Sequence, residues 1–365
     1  MIGNRYVFAG GGTGGHLFPG LAVADALRRR DPGAEITFFT TTRALDRQLL
    51  ETAAYGQIVQ PVRPFTLHPL RFPAFWWSWH ESVRAARAYL RKQRPRAVLG
   101  LGGYAAGPPV VAARKLGIRT AILNPDAIPG RANRHLAQHA DLVVLQWEVS
   151  RACFPDGTNC QVLGCPIRGE FAAADGARGR RRFELDPHRP LLLVTGASQG
   201  AHTVNLAVLH TWPDFHAAHP DWQLLHLTGP ADEAEVRAAY AAAECPAHVL
   251  GFTHEMPLAL AAADLVIARA GASTLAELAV LSKPSILLPY PYHRDRHQHA
   301  NARVLVDRGA ARLLDDRLRP ELNAPPLRAG LDALADLPVR KRMAEAAGGL
   351  GKPRAADDVA AWLAA

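Results

Sequence analysis

RYVFAGGGTGGHLFPGLAVADAL, residues 5–27, passes from a short apolar run through five glycines at positions 10–15 into an amphipathic stretch. The first part has the composition of a buried strand, the last the spacing of a helix with one apolar face. Glycine weakens both kinds of element, so a cluster between them marks a turn that needs positive φ or brings backbone close to a ligand. The helix that follows presents unpaired N–H groups and a partial positive charge, which suits a phosphate. Tight strand–helix packing alone is the plainer reading of the same glycines, and both stand at this point.

Working outward, the pattern repeats. Strands are predicted at 5–9, 35–40, 97–101, 119–123 and 141–145, and again at 190–195, 222–227, 248–252, 264–268 and 285–289, with amphipathic stretches between them. Such alternation predicts parallel sheets crossed by helices. LLLVTGASQGAHTV reopens the second half as the first half opened, and 365 residues exceed what one core usually serves. The expectation is an α/β chain of two Rossmann-like, doubly wound domains, 1–164 and 165–340, facing a central cleft. Residues 341–365 are expected to pack back on the first domain. The segment 159–190, rich in Gly, Pro and Arg, reads as the connection.

Composition narrows the class. Hydrophobic residues make up 48% and charged residues 21%, and no uninterrupted apolar run is long enough for a membrane span. The N-terminus lacks the succession of a secretory signal, which predicts a cytoplasmic protein. Cys153, Cys160, Cys165 and Cys245 have no paired spacing and read as idle thiols. A net charge of +9 and a pI near 9.8 favour an anionic partner: nucleic acid, phosphorylated metabolite or membrane surface. No RNP or zinc-finger pattern supports nucleic acid.

Gly10-x-Gly12-x-x-Gly15 formally fits the dinucleotide fingerprint, yet the second predicted strand ends in threonines rather than the acid a nicotinamide ribose requires. His16 at the helix start is a candidate base, because that position lowers an imidazole's proton affinity; capping or packing is its structural alternative. Glycine turns at 100–109, 196–201 and 269–278 could meet a diphosphate from both halves, which fits a nucleotide-sugar donor.

GGGTGGHLFPGLAVADAL, LGLGGYAAGPPVVAARKLGI, IPGRANRHLA, GCPIR, GASQGA, RAGASTLAELAVLSKPSILLPY and HRDRHQHANA, in this order, resemble the MurG family over essentially the whole chain. The resemblance implies a GT-B fold and an inverting, metal-independent transfer of N-acetylglucosamine from UDP-N-acetylglucosamine onto the lipid-linked muramyl-pentapeptide, lipid I, giving lipid II for peptidoglycan. It implies no cofactor, and peripheral attachment to the cytoplasmic side of the inner membrane. It assigns Thr13, Gly14 and Gly15 to the diphosphate and sugar edge. Arg168 and Ser198 would contact the donor, the backbone near Thr253 the uracil, and Ala272, Ser273, Thr274, Leu275, Ala276 and Glu277 the diphosphate and ribose. Gln298 would read the sugar hydroxyls, and Gly102, Gly103, Tyr104 and Asn133 would lie on the acceptor side. Thr274-x-x-Glu277 is also a capping-box pattern, and Thr13 and Ser198 also suit N-caps.

One motif departs from the family. Leu123-Asn124-Pro125-Asp126 stands where it usually shows His-Glu-Gln-Asn, so Asp126 replaces the asparagine expected at the donor sugar. Asp126 is therefore the second candidate base after His16, and a different lipid acceptor, or sugar-nucleotide binding without catalysis, remains an alternative. There is no Asp-x-Asp to hold a divalent ion, so backbone amides, helix N-termini and Arg168 would meet the leaving group's charge. The histidines of HRDRHQH (293–299) match no common zinc spacing. Residues 65–96 set Phe75, Trp76, Trp77 and Trp79 beside Arg84, Arg87 and Arg91, the pairing of a membrane-docking surface; burial of the aromatics in the core is the alternative.

Overall fold

The computed structural model describes residues 4–12, 14–197, 199–292 and 295–365. By internal contacts the chain divides into two units, one ending at Arg168 and joined by Pro353–Ala365, the other Gly169–Lys352.

In the first unit, seven parallel strands lie in the order β3-β2-β1-β4-β5-β6-β7. They are β1 (Arg5–Gly10), β2 (Glu35–Thr40), β3 (Gly56–Val59), β4 (Ala97–Gly102), β5 (Arg119–Asn124), β6 (Leu142–Leu145) and β7 (Cys160–Gln161). The second unit has six, ordered β10-β9-β8-β11-β12-β13: β8 (Leu191–Thr195), β9 (Gln223–Leu227), β10 (His248–Leu250), β11 (Leu265–Ala268), β12 (Ser285–Leu287) and β13 (Ala311–Leu313). Helices on both faces explain why central strands such as β4 and β8 are buried at every position and read as unbroken apolar runs. All ten expected strands are present. The three unexpected ones, β3, β7 and β13, are short and sit at sheet edges.

Strand order reverses between β1 and β4 in the first unit and between β8 and β11 in the second. Those switch points, at the carboxyl ends of the strands, are where doubly wound sheets open a crevice for ligands.

The returning segment starts at Pro353 rather than at 341. The helix Leu337–Gly348 belongs with the second unit, where Met343 shares a core with Leu327, Leu331 and Leu334. The helix Ala355–Ala364 buries Val359, Ala360 and Leu363 in the first unit's core, among Leu17, Leu21 and Leu27. Arg119 stacks 3.9 Å from the Trp362 ring, and Arg29 pairs with Asp357 at 3.1 Å.

Candidate active site

The chain leaves β1 through Gly11 and Gly12, at φ +145° and +86°. A side chain on Gly11 would run into the carboxylate of Asp46, which is fully buried. Gly12 N–H donates to both Asp46 oxygens, at 2.8 and 2.9 Å. Thr41, just past β2, adds its amide at 3.1 Å and its hydroxyl at 2.6 Å. Arg43 donates to the Gly12 carbonyl at 2.6 Å. The anion at the Gly12 amide is thus the protein's own, and a diphosphate cannot take that amide without displacing it. None of these three side chains stands out in the sequence, since Asp46 and Arg43 reach Gly12 across 34 and 31 positions and Thr41 matters only through Asp46.

His16 is the third residue of the helix Gly14–Arg30. Its ring lies against the backbone of Gly102 and Gly103, both at positive φ; a Cβ on Gly102 would sit 3.1 Å from its Cδ2. Burial lowers the imidazole's pKa below the usual 6.5, and Asp126, a hydrogen bond to the Gly11 carbonyl and Asp46 offset this only in part. The ring is therefore largely neutral at neutral pH.

Asp126 lies in the turn after β5. Asn124 Nδ2 donates to the Asp126 carbonyl at 2.9 Å, and Asn133 Nδ2 donates to the Leu123 carbonyl at 2.8 Å. Asn133 Oδ1 is buried with no hydrogen-bond partner among the described residues, 3.8 Å from where a Gly102 Cβ would be. Adjacent strand ends thus gather His16, Gly102, Gly103, Asp126 and Asn133. Tyr104, half-buried, opens the single turn Tyr104–Ala106, Gly14 packs on the Phe18 ring, and Gly15 is exposed. Arg168 closes the first unit rather than opening the second, its guanidinium 5.8 Å from the Phe18 ring. Thr13 and Ser198 lie outside the described residues.

In the second unit the helix Ala272–Val280 has Gly271 as N-cap, which offers no side-chain acceptor. Thr274 and Glu277 both lie inside this helix, so they do not form a capping box. Leu275 and Ala276 are buried, while Ser273 has a buried hydroxyl with no hydrogen-bond partner among the described residues. Immediately before it, the Arg269 guanidinium donates to Asp316 at 2.8 Å, to Thr203 at 2.8 Å and to the Leu288 carbonyl at 3.0 Å. Burial alone would raise the Asp316 carboxyl, but the Thr203 hydroxyl, Leu318 amide, Arg269 and Asn323 hold it below the usual carboxylate value. Thr253 accepts from the Glu255 amide at 3.0 Å, and Gln298 Oε1 accepts from the Tyr290 amide at 2.8 Å, which leaves its nitrogen as donor. Gly200 and Gly229, both at positive φ, pack two turns backbone to backbone where Cβ atoms would clash with the Thr228 and Gln199 carbonyls.

The aromatic run belongs to the helix Phe72–Gln93, whose Ser78, Ser82, Ala86 and Leu90 face inward. Trp76 and Trp77 are 50% and 70% exposed, and Arg84, Arg87 and Arg91 are exposed too. Phe75 and Trp79 are not: helical spacing turns them toward the inward face, where Phe75 meets Phe65 at 5.2 Å and Trp79 lies against Gly107. Leu67 and Leu70, in the loop before the helix, are more exposed than either tryptophan. Among the described residues no helix is long and apolar enough to cross a membrane.

Residues 6–145 match the glycosyltransferase family 28 N-terminal domain, and residues 191–359 the glycosyltransferase family 28 C-terminal domain. The chain is 36% identical to the UDP-N-acetylglucosamine--N-acetylmuramyl-(pentapeptide) pyrophosphoryl-undecaprenol N-acetylglucosamine transferase of Desulforudis audaxviator (strain MP104C), over 97% of this chain and 96% of that one. It is 38% identical to the transferase of the same description from Anaeromyxobacter sp. (strain Fw109-5), over 98% and 92%. Among solved structures it is similar to Acinetobacter baumannii MurG, with a TM-score of 0.79, 26% identity and 99% of each chain covered.

Proposed function

The chain belongs to the MurG family of glycosyltransferase family 28, and from that premise we propose that it moves N-acetylglucosamine from UDP-N-acetylglucosamine onto lipid I, giving lipid II. The observation that carries the mechanism is His16 held against Gly102–Gly103 beside Asp126, at the switch point between β1 and β4.

The acceptor hydroxyl attacks the anomeric carbon from the face opposite the diphosphate, which inverts the centre. His16, kept neutral by its surroundings, takes the hydroxyl proton as the new C–O bond forms. UDP departs with the electron pair of the broken bond. The first turn of the helix Ala272–Val280, with the unspent Ser273 hydroxyl, meets that charge, and Glu277 and Gln298 hold ribose and sugar hydroxyls. No step requires a metal ion. Trp76, Trp77, Leu67 and Leu70, with Arg84, Arg87 and Arg91, rest the first unit on an anionic membrane surface where the acceptor resides.

Incubating the purified protein with labelled UDP-N-acetylglucosamine and lipid I, with and without chelator, tests this. Disaccharide product in both arms is expected. Absence of product with lipid I alongside turnover of another lipid acceptor overturns the assignment, and that outcome would trace to the altered Leu123–Asp126 turn.

A further inference from the structure

Asp46 is a buried carboxylate with no role in the scheme above. Its partners are the Gly12 amide, held bidentately, and the Thr41 amide and hydroxyl. Gly12 N–H belongs to the same peptide group as the Gly11 carbonyl, and that carbonyl accepts the hydrogen bond from the His16 ring. In a trans peptide the N–H and C=O point to opposite sides, so one planar group separates the carboxylate from the imidazole.

We infer that Asp46 is a positioning residue for His16, acting through the Gly11–Gly12 peptide: the carboxylate polarises the N–H, and the carbonyl in turn holds the ring N–H. Hydrogen bonds in such a chain strengthen one another. A carboxylate on the N–H makes the carbonyl oxygen a better acceptor, which keeps His16 in one tautomer with its other nitrogen unprotonated. Asp46 stays ionised throughout; the acceptor's proton goes to His16, and no proton crosses the peptide. Gly11 must be glycine because Asp46 occupies the space of a side chain there. Three charged groups bear on the arrangement: Asp126 from the turn after β5, Asp46 from the helix Ala44–Thr52, and Arg43 on the Gly12 carbonyl.

The inference rests on His16 being the base, and its test separates the two. Asp46→Asn keeps an oxygen for the Gly12 amide but removes the charge. The variant should lose kcat by about ten- to a hundredfold at little change in donor KM. The His16 midpoint, read from ring nitrogen resonances of 15N-labelled protein, should move down, and the acid limb of the rate profile should move with it. In the unchanged protein the Gly12 amide resonance should titrate in step with His16, which needs no variant to fold. A Gly12 amide indifferent to His16 titration, or an Asp46→Asn protein whose His16 midpoint and kcat are both unmoved, overturns the inference. If the midpoint moves while His16→Ala keeps full activity, the coupling stands and the assignment of the base fails.

Discussion

At the level of single residues, the site turns on how an imidazole is housed. His16→Gln removes the base and should lower kcat by about 10²–10⁴-fold with little effect on donor KM, measured by steady-state transfer. In the native protein the rate should rise with pH as His16 loses its proton. Burial lowers that midpoint, so the acid limb belongs below the usual imidazole value of 6.5. Gly102→Ala places a methyl 3.1 Å from the ring at φ +101°, a conformation alanine adopts only with strain. Its kcat should fall by about tenfold or more at the cost of about 1–3 kcal/mol of stability, read by rate assay and thermal melt. His16 is visible in the sequence because it adjoins five glycines. Asp46 is not, because its meaning lies in a contact with Gly12 across 34 positions that only the folded sheet creates.

Elements were legible in proportion to their burial. The nine strands inside the sheets are apolar runs, so their residues declare them; the edge strands β3, β7 and β13 are two to four residues long and carry no pattern to find, whereas β10, also a short edge strand, is marked by the apolar pair Val249 and Leu250. The Phe72–Gln93 helix divides its aromatics by periodicity, so Trp76→Ser with Trp77→Ser should cut binding to anionic vesicles by about tenfold while leaving the fold intact, checked by co-sedimentation and circular dichroism. The turn between β11 and the Ala272–Val280 helix depends on Arg269 and Asp316. Asp316→Ala leaves that guanidinium buried without its counter-charge and should cost about 3–5 kcal/mol in denaturant unfolding. Because the Asp316 carboxyl is held below its ordinary value, its share of stability is complete above that value and disappears as pH falls through the lowered one.

For the whole molecule, two repeats of one topology are evident from the chain's alternation, whereas the return of the last helix to the first unit is settled by which core accepts its apolar face. Deleting Pro353–Ala365 strips Val359, Ala360 and Leu363 from that core, so the first unit should melt at a lower temperature while Gly169–Lys352 keeps its own transition in calorimetry. Leu363→Ala alone should cost about 2–5 kcal/mol. The same helix has a consequence for biosynthesis. A ribosome makes the first sheet early but supplies the helix that covers Leu17 and Leu27 only after the whole second unit has been made. Throughout that interval the nascent chain carries an uncovered greasy groove, so molecular chaperones that bind such surfaces have a defined place and period in which to act.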